Sequence, residues 1–234
     1  MHELIKSLLY PRARCLACDE PREIDAGTDL CDSCVGELEG LRLTDHVCPH
    51  CLSPVRSGQA CAFCAKGGML GLSGAYSPFR YHGAVERLIS RLKFQALRRA
   101  VEPLSDGMAG CLAGAGFDLL VPVPLHPLDL RKRGFNQAEL LARRLSAKAG
   151  IPFANALIKV RRTNQQSSLS HEAREENVKN AYVSVLPLYE KKVLLVDDVR
   201  TTGSTARACA KELLRAGADS VSLLTAAVAA SYSG

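Results

Sequence analysis

The chain of 234 residues has no tryptophan, and aromatic residues make up 5% of it. Single-stranded nucleic acids are gripped largely by aromatic stacking, so a surface built on that device is a poor fit here. No apolar run approaches the roughly 20 residues of a membrane helix. The opening stretch, MHELIKSLLYPRAR, lacks a secretory pattern, and a cytoplasmic protein is expected. Tandem repeats and low-complexity tracts are missing, apart from a recurring cysteine pair. The whole chain is 47% hydrophobic and 23% charged, an ordinary globular balance with room for one medium domain and a small module.

Eight of the ten cysteines stand in Cys-x-x-Cys pairs: Cys15/Cys18, Cys31/Cys34, Cys48/Cys51 and Cys61/Cys64. Gaps of 12, 13 and 9 residues separate the pairs, enough for a hairpin between knuckles. Two pairs supply four thiolates, the tetrahedral shell of structural zinc, with no position left for substrate. Sequential pairing joins the first two pairs and the last two; a crossed pairing stays open. Disulfides or redox chemistry are the competing use, and a cytoplasmic chain favours metal. The segment has little apolar core of its own, so it should unfold without metal. His50 is expected at the surface, and the solitary Cys111 and Cys209 are expected to be buried.

Charge separates two regions, 1–69 and 70–234. The first holds 7 basic and 10 acidic residues, a balance of −3; the second holds 23 and 14, a balance of +9. Two zinc ions on eight thiolates would lower the first to −7. The ribbon module is therefore acidic, and any contact with nucleic acid is expected from the larger domain.

The most informative stretch is VLLVDDVRTTGST, residues 193–205. Residues 193–196 are apolar without alternation, as in a strand covered on both faces. From Ala206 the pattern is helical, with Ala206, Cys209, Ala210, Leu213 and Leu214 on one stripe. Thr201, Thr202, Gly203, Ser204 and Thr205 thus sit at a helix N-terminus, where unpaired N–H groups and the dipole favour an anion. Asp197 and Asp198 would repel a phosphate, but they suit the vicinal hydroxyls of a ribose. An ordinary strand–turn–helix capped by Ser204, or a phospho-receiver acid pair, is the alternative.

Elsewhere strands and helices alternate, which predicts a parallel α/β sheet with its ligand site at the carboxyl ends of the strands. Extended structure is expected over 72–81, 119–123, 157–161, 182–186 and 220–227. Helices are expected over 83–94, 97–113 with Pro103 near a break or start, 136–149 and 170–180. In the first of these Arg87 and Arg91 point outward; residues 66–68 read as a linker. Arg131, Lys132 and Arg133 precede Gly134 and could meet a pyrophosphate, or form a solvated basic turn. Residues 161–170, with Arg161, Arg162 and Gln165, could be a lid that orders over ligand, or a plain surface loop.

The motif at 193–205 resembles that of type I phosphoribosyltransferases. With LKFQ around Lys93, VPVPLH, RKRGFNQA, and QSSLS followed by Arg174 and Asn177, the whole chain resembles the ComF/GntX family. That family joins a double zinc ribbon to a phosphoribosyltransferase-like domain, a parallel sheet with helices on both faces. The resemblance implies phosphoribosyl pyrophosphate, or a nucleotide, as ligand. It also implies a link to competence and DNA uptake, with competence or DNA-processing proteins and single-stranded DNA as partners. An enzyme of this kind would displace pyrophosphate at the anomeric carbon, with Mg²⁺ held mainly by ligand oxygens. Asp197 and Asp198 would fix the ribose, residues 201–205 the 5-phosphate, and Arg131, Lys132 and Arg133 the leaving group. Arg161, Arg162 and Gln165 would close the lid. No cysteine follows Met1 to serve as a glutaminase nucleophile, and no stretch reads as a base-specific hood, so the acceptor stays open. A DNA-handling protein, or a ligand-sensing adaptor reusing the pocket, are the other readings.

Overall fold

The computed structural model describes residues 13–22, 24, 27–44, 47–53, 55, 61–65, 67, 69–112, 114–163 and 178–229. Gln165, Arg174, Asn177 and the expected helix start at 170 lie outside them, as does the opening turn.

Strand β6 (Lys192–Arg200) is the centre of the larger domain. It pairs in parallel with β3 (Leu119–Pro122) on one side and β7 (Ser220–Val228) on the other. Both β1 (Gly74–Tyr76) and β2 (Phe79–Arg80) pair in parallel with β7, interrupted at Ser77 and Pro78. The order is β1-β7-β6-β3. Residues 193–196 are fully buried, because both sheet faces are covered. Helices α3 (Gly83–Phe94), α4 (Val101–Gly110) and α6 (Gln137–Ala149) share a core with Leu194 and Val196. Helix α7 (Ser204–Arg215) packs with Val193 and Leu195 on the opposite face.

Three sequence expectations need correction. The strands at Leu157–Lys159 (β4) and Tyr182–Ser184 (β5) do not join the parallel sheet; they form their own antiparallel pair. The helix expected over 97–113 is a 3₁₀ turn, Arg98–Ala100, followed by α4. Pro103 lies in the first turn of α4, where its missing N–H has no intrahelical partner to lose. Arg131, Lys132 and Arg133 form the last turn of a short helix, α5 (Pro127–Arg133), ended by Gly134 at φ +81°. Cations suit that end of the helix dipole.

In the ribbon module, α1 (Asp32–Gly40) follows Cys31 and α2 (Ala62–Ala65) follows Cys61. Leu16, Leu30 and Leu38 of the module belong to the same buried cluster as Leu88 and Ile89 of α3. Arg87 and Arg91 accordingly reach the module instead of pointing only outward, with Arg87 still partly exposed. Arg87 pairs with Glu37 at 2.5 Å, Arg91 with Asp19 at 2.9 Å and with the Cys15 carbonyl at 3.2 Å, and Arg99 with Asp29 at 2.6 Å. The opposite charges of the two regions meet along α3 and the turn after it. Among the described residues, no helix is long and apolar enough to cross a membrane.

Candidate functional site

The site is built where β6 hands over to α7. Gly203 sits at φ +71°, a left-handed conformation that favours glycine, and it is the N-cap of α7. Among the described residues no side chain caps that helix end, and first-turn N–H groups of this kind suit an anion. Arg207 donates to the Thr202 carbonyl at 2.9 Å, and the Thr202 and Ser204 hydroxyls lie 3.1 Å apart. Asp197, Arg200, Thr201, Gly203, Ser204, Thr205 and Thr225 line a pocket of about 50 Å³. A single water needs roughly 10–15 Å³, so a group of a few heavy atoms fits. Thr225 is 1% exposed, and its hydroxyl has no hydrogen-bond partner among the described residues.

Strand alternation sends the two acids to opposite sides of β6. Asp197 lines the pocket and accepts the Asp198 N–H at 2.8 Å. Burial first, then the Asp198 charge, pushes the Asp197 carboxyl up to about 7, while Lys93, its own hydrogen bond and Lys159 pull it down. Asp198 is 4% exposed and its Oδ1 lies 2.9 Å from Lys93 Nζ. Its Oδ2 is buried with no partner among the described residues.

The other sequence candidates are less converged. Arg131 and Lys132 are exposed, and Arg133 donates to Gln137 Oε1 at 2.6 Å. No hydrogen bond or ion pair among the described residues joins these three to residues 201–205. Arg161 donates to the Lys179 carbonyl at 2.6 Å, and Arg162 pairs with Asp129 of α5 at 2.8 Å. Gln165 lies outside the described residues.

Sequence reasoning missed Thr225, Arg207 and Lys159. Lys159 ends β4, 2.7 Å from Thr163 Oγ1 and 5.4 Å from the Tyr182 ring centre. Burial lowers its pKa, and the Asp197 charge is among those that oppose the shift. A lysine closing the apolar run at 156–158 was the available signal. A larger cavity, about 790 Å³, lies beyond the loop along α7; Lys179, Ser204, Arg207, Lys211 and Arg215 are among its lining residues.

The cysteines gather into two clusters by sequential pairing: Cys15, Cys18, Cys31 and Cys34, then Cys48, Cys51, Cys61 and Cys64. In each, all four sulfurs lie within 4.8 Å of one another. A zinc tetrahedron with bonds of about 2.3 Å has sulfur–sulfur edges of roughly 3.8 Å. The Cys18–Cys31 (3.9 Å), Cys51–Cys61 (3.5 Å) and Cys48–Cys64 (3.7 Å) separations fit it. His50 is exposed between Cys48 and Cys51.

A double zinc ribbon domain matches residues 5–65, and a phosphoribosyl transferase domain matches residues 130–232. Over 227 residues the chain is 30% identical to Competence protein F of Haemophilus influenzae, covering 89% of this chain and 93% of that one. The chain belongs to the ComF family. Its ComF relatives include Competence protein ComFC of Bacillus subtilis, 28% identical over 84% of this chain and 82% of that one. DNA utilization protein YhgH of Escherichia coli is 41% identical across 105 residues, 44% of this chain and 46% of that protein. Among solved structures, a purine phosphoribosyltransferase from Pyrococcus horikoshii aligns at 22% identity and a TM-score of 0.34, over 53% of this chain and 70% of that one. The two domain matches show that the ComF chain carries a double zinc ribbon and a phosphoribosyltransferase-type domain.

Proposed function

We propose that this ComF protein binds phosphoribosyl pyrophosphate, or a related ribose 5-phosphate ligand, where β6 meets α7. The carrying observation is the shared pocket of Asp197, the uncapped start of α7 and the unpartnered hydroxyl of Thr225. The 5-phosphate takes the first-turn N–H groups of α7 and the hydroxyls of Thr201, Ser204 and Thr205. The ribose hydroxyls donate to Asp197, the acid that lines the pocket, while Asp198 lies on the other side of β6 against Lys93.

As a transferase, the chain would hold the sugar while an acceptor attacks the anomeric carbon and the bond to pyrophosphate breaks. The phosphate grip is remote from that bond, so its binding energy serves to orient the reacting carbon. The oxygen-rich donors nearby suit a hard cation, and Mg²⁺ carried on the pyrophosphate would supply neutralising charge. Arg131, Lys132 and Arg133, in the last turn of α5, are the candidate contacts for the pyrophosphate.

Calorimetry with phosphoribosyl pyrophosphate and Mg²⁺ tests this reading. Binding by the native protein is expected, with loss of at least about tenfold in Asp197→Asn, since each lost charge-assisted hydrogen bond is worth roughly 1.5–3 kcal/mol. No binding by the native protein would sink it.

A second reading, handling of single-stranded DNA, has its own support in the cations Lys179, Arg207, Lys211 and Arg215 beside Ser204. The names Competence protein F and DNA utilization protein, carried by relatives, agree with it. It predicts binding that weakens steeply with salt and falls in Lys211→Glu with Arg215→Glu.

A further inference from the structure

The last residue of β6, Arg200, is 4% exposed. It comes directly before the phosphate loop, yet its guanidinium reaches across to the second cysteine knuckle. Nη2 donates to the Cys51 carbonyl at 2.7 Å and to Ser53 Oγ at 3.0 Å. Ser53 Oγ in turn lies 3.2 Å from the Cys51 sulfur, and the Ser53 carbonyl accepts the Cys48 N–H at 2.9 Å. The arginine therefore touches the groups that hold the second metal ligand set in shape.

Burying a guanidinium is expensive unless opposite charge stands near. The Cys51 carbonyl and the Ser53 hydroxyl are themselves neutral. A zinc ion held by the four thiolates of Cys48, Cys51, Cys61 and Cys64 would leave a net charge of −2 at the cluster whose Cys51 backbone Arg200 touches. The backbone of Arg200 is fixed as well: it pairs with Val228 in the sheet, and its carbonyl accepts the Ala229 N–H at 2.9 Å. From that anchored residue the chain runs straight into Thr201 and Thr202. At its far end the loop is held by Arg207 on the Thr202 carbonyl.

We infer that Arg200 is a positioning residue that makes the second zinc site part of the phosphate-loop framework, so that an intact Cys48/Cys51/Cys61/Cys64 centre sets the conformation of residues 201–205. The ribbon module is then a structural arm of the ligand pocket, contacting its rim from outside the sheet. Loss of that metal loosens the loop even where the rest of the fold persists. The inference rests on the ligand reading above for its affinity arm, and on the coordinates alone for its exchange arm.

The test uses the full zinc-loaded chain as native protein, Arg200→Gln, Arg200→Lys and Ser53→Ala. Two readouts are taken: amide hydrogen exchange of residues 201–205 without ligand, and affinity for phosphoribosyl pyrophosphate with Mg²⁺. Zinc content and the melting curve establish that each variant is folded. Arg200→Gln is expected to speed exchange at 201–205 and to weaken affinity, each by about tenfold or more, while helices α4 and α6 exchange as before. Arg200→Lys, which keeps the charge beside the thiolates, should recover part of both losses. Ser53→Ala keeps the Cys51 contact and should show a smaller change of the same kind; it is the deciding variant if Arg200→Gln does not fold. Unchanged exchange at 201–205 in every folded variant overturns the inference. Native protein that fails to bind the ligand refutes the ligand reading and leaves the exchange result to decide this one.

Discussion

Lys93 Nζ lies 2.9 Å from Asp198 Oδ1, linking the last turn of α3 to the carboxyl end of the central strand. The carboxylate side chain is 5% exposed and the lysine 22%. The lysine that pairs with this deep acid comes from the same helix whose Arg87 and Arg91 dock the ribbon module. Helix α3 therefore touches both the first cysteine cluster and one of the two acids of the candidate site.

Removing the lysine strands that acid. Lys93→Ala should cost about 2–4 kcal/mol, somewhat less than a fully buried pair because the lysine is partly solvated. Lys93→Ala combined with Asp198→Asn should recover part of the loss. Denaturant unfolding of the three proteins measures it, and equal stability in all of them would show that the pair is idle.

On the proposed ligand reading, Asp197 should tie ligand affinity to pH. Its carboxyl is raised from 3.8 to about 7 by burial and by the neighbouring Asp198 charge, against the pull of Lys93 and Lys159. The folded-state value lies above the unfolded one. Its contribution to stability is therefore complete below about pH 4 and is lost as pH rises through about 7. Ligand binding runs the other way: ribose hydroxyls donate to the ionised form, so affinity should climb through pH 7 by up to about tenfold per unit. Asp197→Asn should flatten both profiles. Calorimetry across pH 5.5–8.5 decides the point.

Two zinc ions per chain are expected from elemental analysis, one for each cluster. A strong chelator should unfold more than the module. The first cluster shares a buried core with Leu88 and Ile89, so its loss exposes part of the larger domain. Near-ultraviolet circular dichroism and exchange in α3 read this. An apo protein with a native α3 would contradict it.

Charge reversal along the docking seam should weaken the fold in a salt-dependent way. Arg87 and Glu37 are each more than a third exposed, so the pair contributes about 1 kcal/mol or less; Arg91, better covered, contributes about as much or somewhat more. Arg87→Glu with Arg91→Glu should lower the melting temperature by about 2–8 °C at low salt. High salt should shrink the difference. A melting curve unchanged at low salt would mean that apolar contacts alone hold the module.

The chain's local patterns already determined much of this protein. The cysteine pairs are legible because metal ligation needs defined residue types at short spacing. The strand, acid pair, loop and helix at 193–205 are legible because each is local: an unbroken apolar run, two carboxylates, a glycine at the turn and an amphipathic helix. The basic run at 131–133 illustrates the limit. Its composition allowed a ligand loop or a solvated turn, and the fold made it the last turn of a helix ended by Gly134.

Tertiary structure alone decided the rest, because it depends on which distant segments meet. No local pattern could tell that Arg87 and Arg91 turn toward the ribbon module, since an arginine on a helix reads the same whether water or another module covers it. Sequential rather than crossed cysteine pairing, the antiparallel pair of β4 and β5, the separation of Asp197 from Asp198 by the pleat of β6, and the reach of Arg200 across 149 positions to Cys51 are all of this kind. Each contact is set by the closing of the sheet and the docking of the module, and the spacing of residues along the chain carries no record of it.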